Sequence, residues 1–471
     1  MRVGPLIVGT PADWTPAAGS VTTWHPSPAA REAASRAPVS DVPVSYMQAQ
    51  HLRGYCDQLE KGLDYSRLMV VSCDAPGQCD VRAMSFVINT HLRRHDTYRS
   101  WFEYTDDARF IRHTIEDPAD IEFVPKRHGA MTVDEAREHL VNTPDPLQWD
   151  CFRYGVIQGT DHFTFYASID HVHVDAMIVG TTLTEFYMNY LALTGGDPPL
   201  ALPAAGSYDE FCVKQRSFTS ALTPESPQVR VWTEFAENNR GSMPDFPLPL
   251  GDPSVYCEAD IVTMTMMDAE QTHRFELACT AGGARFIGGV LACSGLAEYE
   301  LVGAETYYGL TPSDTRRTPT DALTQGWFTG LVPITVPIAG STFGDAAKTA
   351  QVAFDEGLSL AEVPYDRVLE LAPALVKPRP NFPVVNFLDA GTAPLSVLLT
   401  ADLDDLNIGI YSDGRYSYQL CIYVMRVAEQ TAVAVMFPDN PIAQESVAVY
   451  LAALKSVFER VAENGHWRNV A

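Results

Sequence analysis

The sequence predicts a mixed α/β (α+β) protein built as two lobes, each a mixed sheet with flanking helices. Three observations carry that expectation. The chain has 471 residues, and at roughly 150 residues per domain that is material for two or three cores. Strand-like and helix-like hydrophobic periodicities alternate in both halves. Two proline-rich passages, GGDPPLALPAAG at 195–206 and a second at 244–253, interrupt the pattern and mark a crossing between lobes.

Composition narrows the function classes. Hydrophobic residues make up 46% and charged residues 20%, as in an ordinary globular protein. Lys and Arg number 33 against 59 Asp and Glu, a formal net charge of −26. Such a surface repels phosphate backbones and anionic head groups, which argues against nucleic-acid binding and polybasic membrane docking. The longest apolar run, 286–297, falls short of the ~20 residues that span a bilayer. No targeting segment is expected at the N-terminus, where Pro and Gly interrupt the short apolar stretch. The nine cysteines form no CxxC pair, so they read as reduced core thiols of a cytoplasmic protein.

Taken in order, residues 1–40 are rich in Pro, Ala and Ser and are expected to form an N-terminal strap. The first lobe is set at 41–215. It opens with a helix capped by Ser45 and stopped by Gly62. A strand at 67–73 follows, then a helix from Asp80 with Val81, Met84, Ile88 and Leu92 on one face. Two strands with a turn at 159–161 fill 154–170, and Phe163, Phe165, Ala167 and Ile169 alternate with polar neighbours in the second. A helix begins after Asp175 and ends at Gly195–Gly196. The second lobe, 216–471, contains a strand (ADIVTMTMM) and a helix from Asp268. It closes with a strand at 431–437 and a helix aligning Val447, Leu451, Leu454 and Phe458.

The densest reactive cluster is Asp170-His171-Val172-His173-Val174-Asp175, between a strand and a helix. Three readings compete for it. It is a polar loop with a satisfied core histidine, or the start of a metal site, or an HxxxD pair. HxHxD suits zinc in some metallo-hydrolases, but Ala176 stands where a further His is needed, and only His273 and His466 follow. In the third reading His171 is a general base, since imidazole titrates near working pH. Asp175 then accepts backbone donors and pairs with an arginine from elsewhere.

Six segments in series set the context. They are Ser45-Tyr-Met-Gln48, Arg94-His95-Asp96 through Phe102, the His171–Asp175 core, Tyr208-Asp209-Glu210-Phe211, Gly326-Trp327-Phe328-Thr329 through Pro333, and Val363-Pro364-Tyr365-Asp366. In that order they resemble the motifs of the HxxxD acyltransferase superfamily, which includes peptide-synthetase condensation domains. The segments at 40–55, 91–103, 161–180, 314–338 and 438–448 look most like the mycobacterial polyketide-associated acyltransferases of the trehalose-ester branch, the acyltrehalose-forming members first. Asp170 and Ala176 depart from the family pattern, which has His and Gly there.

The resemblance implies two chloramphenicol-acetyltransferase-like lobes related by a pseudo-two-fold around a central tunnel. It implies an O-acyltransferase moving a long acyl group from acyl-CoA, or from a polyketide synthase carrier, to trehalose or an acyltrehalose. The alternatives are ester or amide condensation on a carrier-bound substrate, or a non-catalytic lipid-binding member of the fold. His171 is the implied base, and Asp175 an orienting residue paired with Arg316 or Arg317 of the second lobe. Asp170 is a supporting residue, through the pKa of His171 or a sugar hydroxyl. Thr329 and His173 are candidate substrate contacts, with packing favoured for His173. Arg93, Arg94 and Arg99 are favoured as structural arginines over a coenzyme A contact. No metal or bound cofactor is expected, with acyl-CoA serving as co-substrate. A polyketide synthase and a lipid transporter are the implied protein partners. The expected state is a cytoplasmic monomer, peripheral at the inner face of the plasma membrane.

Overall fold

The computed structural model describes residues 2–3, 6–63, 65–106, 109–255, 257–379, 382–390, 406–413, 420–427 and 430–467. The fold is mixed α/β, in two compact units. The first comprises Met1–Phe218, Arg316–Phe328 and the described part of Ala393–Gly414; the second holds the rest.

An eight-stranded sheet organises the first unit. Its order is Arg2–Val3, Leu6–Gly9, Ile408–Asp413, Leu68–Pro76, His162–Asp170, Phe152–Gln158, Gly19–Pro26 and Phe123–Met131. All its pairings are antiparallel except that of Ile408–Asp413 with Leu6–Gly9. The expected strands at 67–73 and 154–170 are therefore neighbours at the centre of this sheet, where Leu68 faces Asp170.

The N-terminal 40 residues are not a strap. Gly19–Pro26 is an internal strand with Val21, Thr22, Thr23 and Trp24 all buried. β-branched and aromatic side chains suit a two-sided buried strand, but the surrounding Pro, Ala and Ser hide this short run. The lobe division at 215/216 needs a second correction. Arg316–Phe328 lies in the C-terminal half of the sequence yet packs as part of the first unit, as does the strand Ile408–Asp413.

Helix starts follow their caps. Ser45 caps Tyr46–Leu59 in a reciprocal box with Gln48, and Asp80 caps Val81–Arg94 through the amides of Arg82 and Ala83. The helix expected after Asp175 is Ile178–Thr181, a π-helical stretch Thr182–Tyr187, then Met188–Thr194. π-helical turns recur at functional sites, and this one carries the buried Glu185.

In the second unit a four-stranded sheet runs Ala259–Met267, Gln430–Pro438, Leu420–Val427, Pro383–Asp389. A separate ribbon pairs Thr306–Asp314 with Thr329–Pro337. The apolar run 286–297 is the buried part of helix Phe286–Val302, a core element packed with Phe275, Phe343, Val433 and Phe458. Among the described residues no single helix is long and apolar enough to cross a membrane.

Candidate active site

The strand His162–Asp170 ends where the loop 171–177 begins, and every turn of that loop is tied down. The His171 amide donates to the Arg67 carbonyl at 3.0 Å, and the His173 amide to the Asp170 carbonyl at 3.1 Å. Val172 donates to Asp170 Oδ1 at 2.8 Å, while Gln48 Nε2 donates to the Val172 carbonyl at 3.0 Å. Gln48 thus serves a helix cap and braces the loop at once. Ala176 in place of glycine brings no strain: among the described residues only Arg240 and Asn407 are non-glycines with positive φ.

His171 is half-buried, with its ring centre 3.9 Å from that of Trp327 and tilted by 34°. Burial holds its pKa well below 6.5, helped by the charges of Arg67 and His51 and opposed by the backbone of His171 and Val174. Nδ1 is shielded from water and has no hydrogen-bond partner among the described residues. The ring therefore sits as neutral imidazole, the form that can take a proton.

Asp175 points into the fold. Arg316 grips it with Nη1 on Oδ2 and Nη2 on Oδ1, and both side chains are about 5% exposed or less. The amides of Met177 and Phe328 complete the carboxylate's shell at 3.1 and 2.9 Å. Of the two candidate arginines, Arg316 makes the pair. Arg317 is exposed, with its amide on Asp321 Oδ2. The Arg316 guanidinium also donates to the Asp321 and Thr324 carbonyls and lies 4.2 Å from the Phe328 ring centre.

Asp170 is turned to a residue that the motif reading passed over. His51 Nε2 donates to its Oδ1 at 2.7 Å, and both side chains are buried. The Val172 amide reaches the same Oδ1, so that oxygen is engaged within the fold. His173 is 1% exposed, hydrogen-bonded to Thr97 at 3.0 Å and packed against Tyr98 and Phe152. It packs, and a substrate contact through it has no support in this geometry. Thr329 is half-buried at the start of its strand, opposite Asp314 in the second unit.

Trp327, Arg67 and His51 were the omissions. The Arg67 guanidinium carbon is 4.9 Å from the Trp327 ring centre, and the His51 ring is 5.9 Å from it edge-on. Trp327 reaches His171 because Gly326 adopts φ +150°, where a Cβ would come 2.3 Å from the Tyr208 ring. The GWF spelling was the available signal; what the indole touches was not in it.

Arg94, His95 and Asp96 of the motif at 93–99 are engaged within the fold. Arg94 Nε, His91 Nδ1 and His95 Nε2 all donate to Glu185, at 2.9, 2.7 and 3.0 Å. Asp96 accepts from Ser207 Oγ and the Tyr208 amide. His91, His95 and Glu185 are close enough to hold a metal ion. Each donor is already engaged, however: Tyr98 lies 3.4 Å from His91 Nε2, and the Gln325 amide donates to His95 Nδ1 at 3.3 Å. A metal would have to displace Arg94 and reverse both imidazoles.

A strand-end imidazole held neutral, with its carboxylate partner locked to an arginine behind it, defines a class of HxxxD enzymes, and residues 41–388 match the family described as Condensation domain. The chain belongs to that family and, within it, to the Pap acyltransferases. It is 71% identical over 471 residues, all of both chains, to acyltransferase PapA3 of Mycobacterium tuberculosis. It is 55% identical over 465 residues to 2'-acyl-2-O-sulfo-trehalose (hydroxy)phthioceranyltransferase PapA1 of the same species, covering 99% of this chain and 90% of PapA1. The solved PapA2 acyl transferase superposes with TM-score 0.94 at 56% identity, covering 97% of this chain and 100% of that one. The fold is thus the chloramphenicol-acetyltransferase-like, two-lobed fold of condensation domains, and the protein is an acyltransferase.

Proposed function

We propose that this enzyme transfers a long-chain acyl group from acyl-CoA, or from a polyketide synthase carrier, to a hydroxyl of trehalose or an acyltrehalose. The observation that carries this is His171: a neutral, half-buried imidazole on a braced loop, beside an Asp175 that faces away into Arg316. The trehalose acceptor draws support from the name of the PapA1 relative.

The chemistry needs one base and no covalent enzyme intermediate. His171 takes the proton from the sugar hydroxyl as its oxygen attacks the thioester carbonyl. The tetrahedral intermediate then collapses, the C–S bond breaks, and the imidazolium returns the proton to the leaving thiolate. Asp175 holds the loop and does not touch the substrate.

The test incubates the protein with palmitoyl-CoA and either trehalose or trehalose-2-sulfate, and reads acyl ester and free thiol together. Wild type is expected to form ester and His171→Ala to form none above background. Equal product from the two proteins, or none from wild type with any thioester, overturns the proposal.

A further inference from the structure

Arg67 sits at the site with no counter-ion among the described residues. It precedes the strand Leu68–Pro76, and its carbonyl receives the His171 amide. Its guanidinium lies over the indole that His171 also contacts, and the residue is half-buried. Among the described residues its side chain makes no ion pair or hydrogen bond. Of the neighbouring carboxylates, Asp170 accepts from His51 and Val172 on Oδ1, and Asp175 is held on both oxygens by Arg316.

That arrangement is costly in the resting protein. A cation partly removed from water, with an aromatic face as its partner, gives up hydration for a weak contact. It also depresses the basicity of the very group that must accept a proton. Such a charge is useful when negative charge develops beside it during turnover. Acyl transfer supplies that moment: as the hydroxyl oxygen bonds to the thioester carbon, the carbonyl electron pair moves onto oxygen.

We propose that Arg67 is a catalytic residue, whose guanidinium donates to the oxyanion of the tetrahedral intermediate while His171 carries the hydroxyl proton. The inference rests on the acyl-transfer function proposed above. No proton leaves Arg67. The oxyanion forms, is held, and returns its electron pair to the carbonyl as the C–S bond breaks, with His171 protonating the thiolate. An arginine suits the role because it stays charged at every working pH and offers five donors in a fixed plane.

The experiment compares wild type, Arg67→Met and Arg67→Lys, with folding checked by thermal melts. Thiol release from palmitoyl-CoA with trehalose gives kcat and KM, and NMR titration without substrate gives the His171 pKa, assigned through His171→Gln. Besides Arg67, the titratable group that acts on His171 is His51, itself bonded to Asp170, and both are unchanged in these variants. Arg67→Met is expected to lose roughly 100- to 1,000-fold in kcat with KM within about threefold. The Lys variant should recover part of that loss. The His171 pKa should rise in the Met variant, because the cation that lowers it is gone. A Met variant with wild-type kcat, a loss confined to KM, or an unmoved His171 titration each overturns the proposal. Should wild type transfer no acyl group, the functional proposal falls by itself, and the His171 titration still decides whether Arg67 acts on this site.

Discussion

Arg316 holds Asp175 through two parallel bonds, at 2.9 and 3.2 Å, with both side chains almost wholly out of water. The pair joins the loop after the strand His162–Asp170 to a segment some 140 residues later in the chain. Removing one partner strands the other. Asp175→Ala or Arg316→Met should each cost about 3–5 kcal/mol of stability, read as a lower urea midpoint. Restoring the carboxylate with a shorter reach is not possible, so Asp175→Asn, which keeps an acceptor for the Phe328 amide, is expected to be the mildest change at this position.

The acid limb of the pH–rate profile should lie below that of a free imidazole. The catalytic form is neutral His171, and burial with the charges of Arg67 and His51 lowers its pKa well below 6.5. Protonation therefore sets in only at more acidic pH. Activity should be flat from pH 8 down through 6.5 and decline below that. A kcat profile that falls with an apparent pKa of 7 or higher would contradict the neutral-base assignment.

Trp327 should matter to rate more than to folding. Its indole is the surface on which the His171 ring rests, 3.9 Å centre to centre. Trp327→Leu lets the ring drift, and a misplacement near 1 Å costs about 100-fold in rate. Trp327→Phe keeps an aromatic face and should retain more activity than the Leu variant. Steady-state kcat for the two variants, beside their melting temperatures, makes the comparison.

Stability should decline with acid through buried histidines. Burial lowers His91 and His173 to about 4, so the fold favours their neutral forms. Their contribution is fully present above pH 6.5 and is lost as pH falls towards 4. Melting temperature should therefore drop steadily over that window, and more shallowly in His173→Leu. A flat melting temperature from pH 6.5 to 4.5 would contradict it.

The Glu185 cluster should ignore metal. Its carboxylate already accepts from His91, His95 and Arg94. Adding zinc should leave the melting temperature unchanged, and a chelator should leave activity unchanged. Tight zinc uptake lost in Glu185→Gln would contradict the saturated network.

Much of the local structure was legible because its causes are local. Ser45 with Gln48 and Asp80 announced helix starts through caps their own side chains complete. The alternation at 163–170 announced a strand, but not its setting, since the polar face is buried as fully as the apolar one. Residues 19–26 failed the same test, since eight strand residues inside a Pro, Ala and Ser background give composition the louder voice. Arg316 was narrowed to two neighbours by sequence, and only three-dimensional packing could separate one buried guanidinium from its exposed successor.

The linear sequence determined the class of fold, the HxxxD pair and the likeness to acyltransferases, because periodicity, caps and motif order are properties of neighbouring residues. The tertiary structure decided the rest of the site. His51 on Asp170, Arg316 on Asp175, and Trp327 beside Arg67 and His171 are pairings between residues more than a hundred positions apart. No spacing rule encodes such contacts. They exist because a sheet brings distant strand ends together and burial then forces each charge to find a partner.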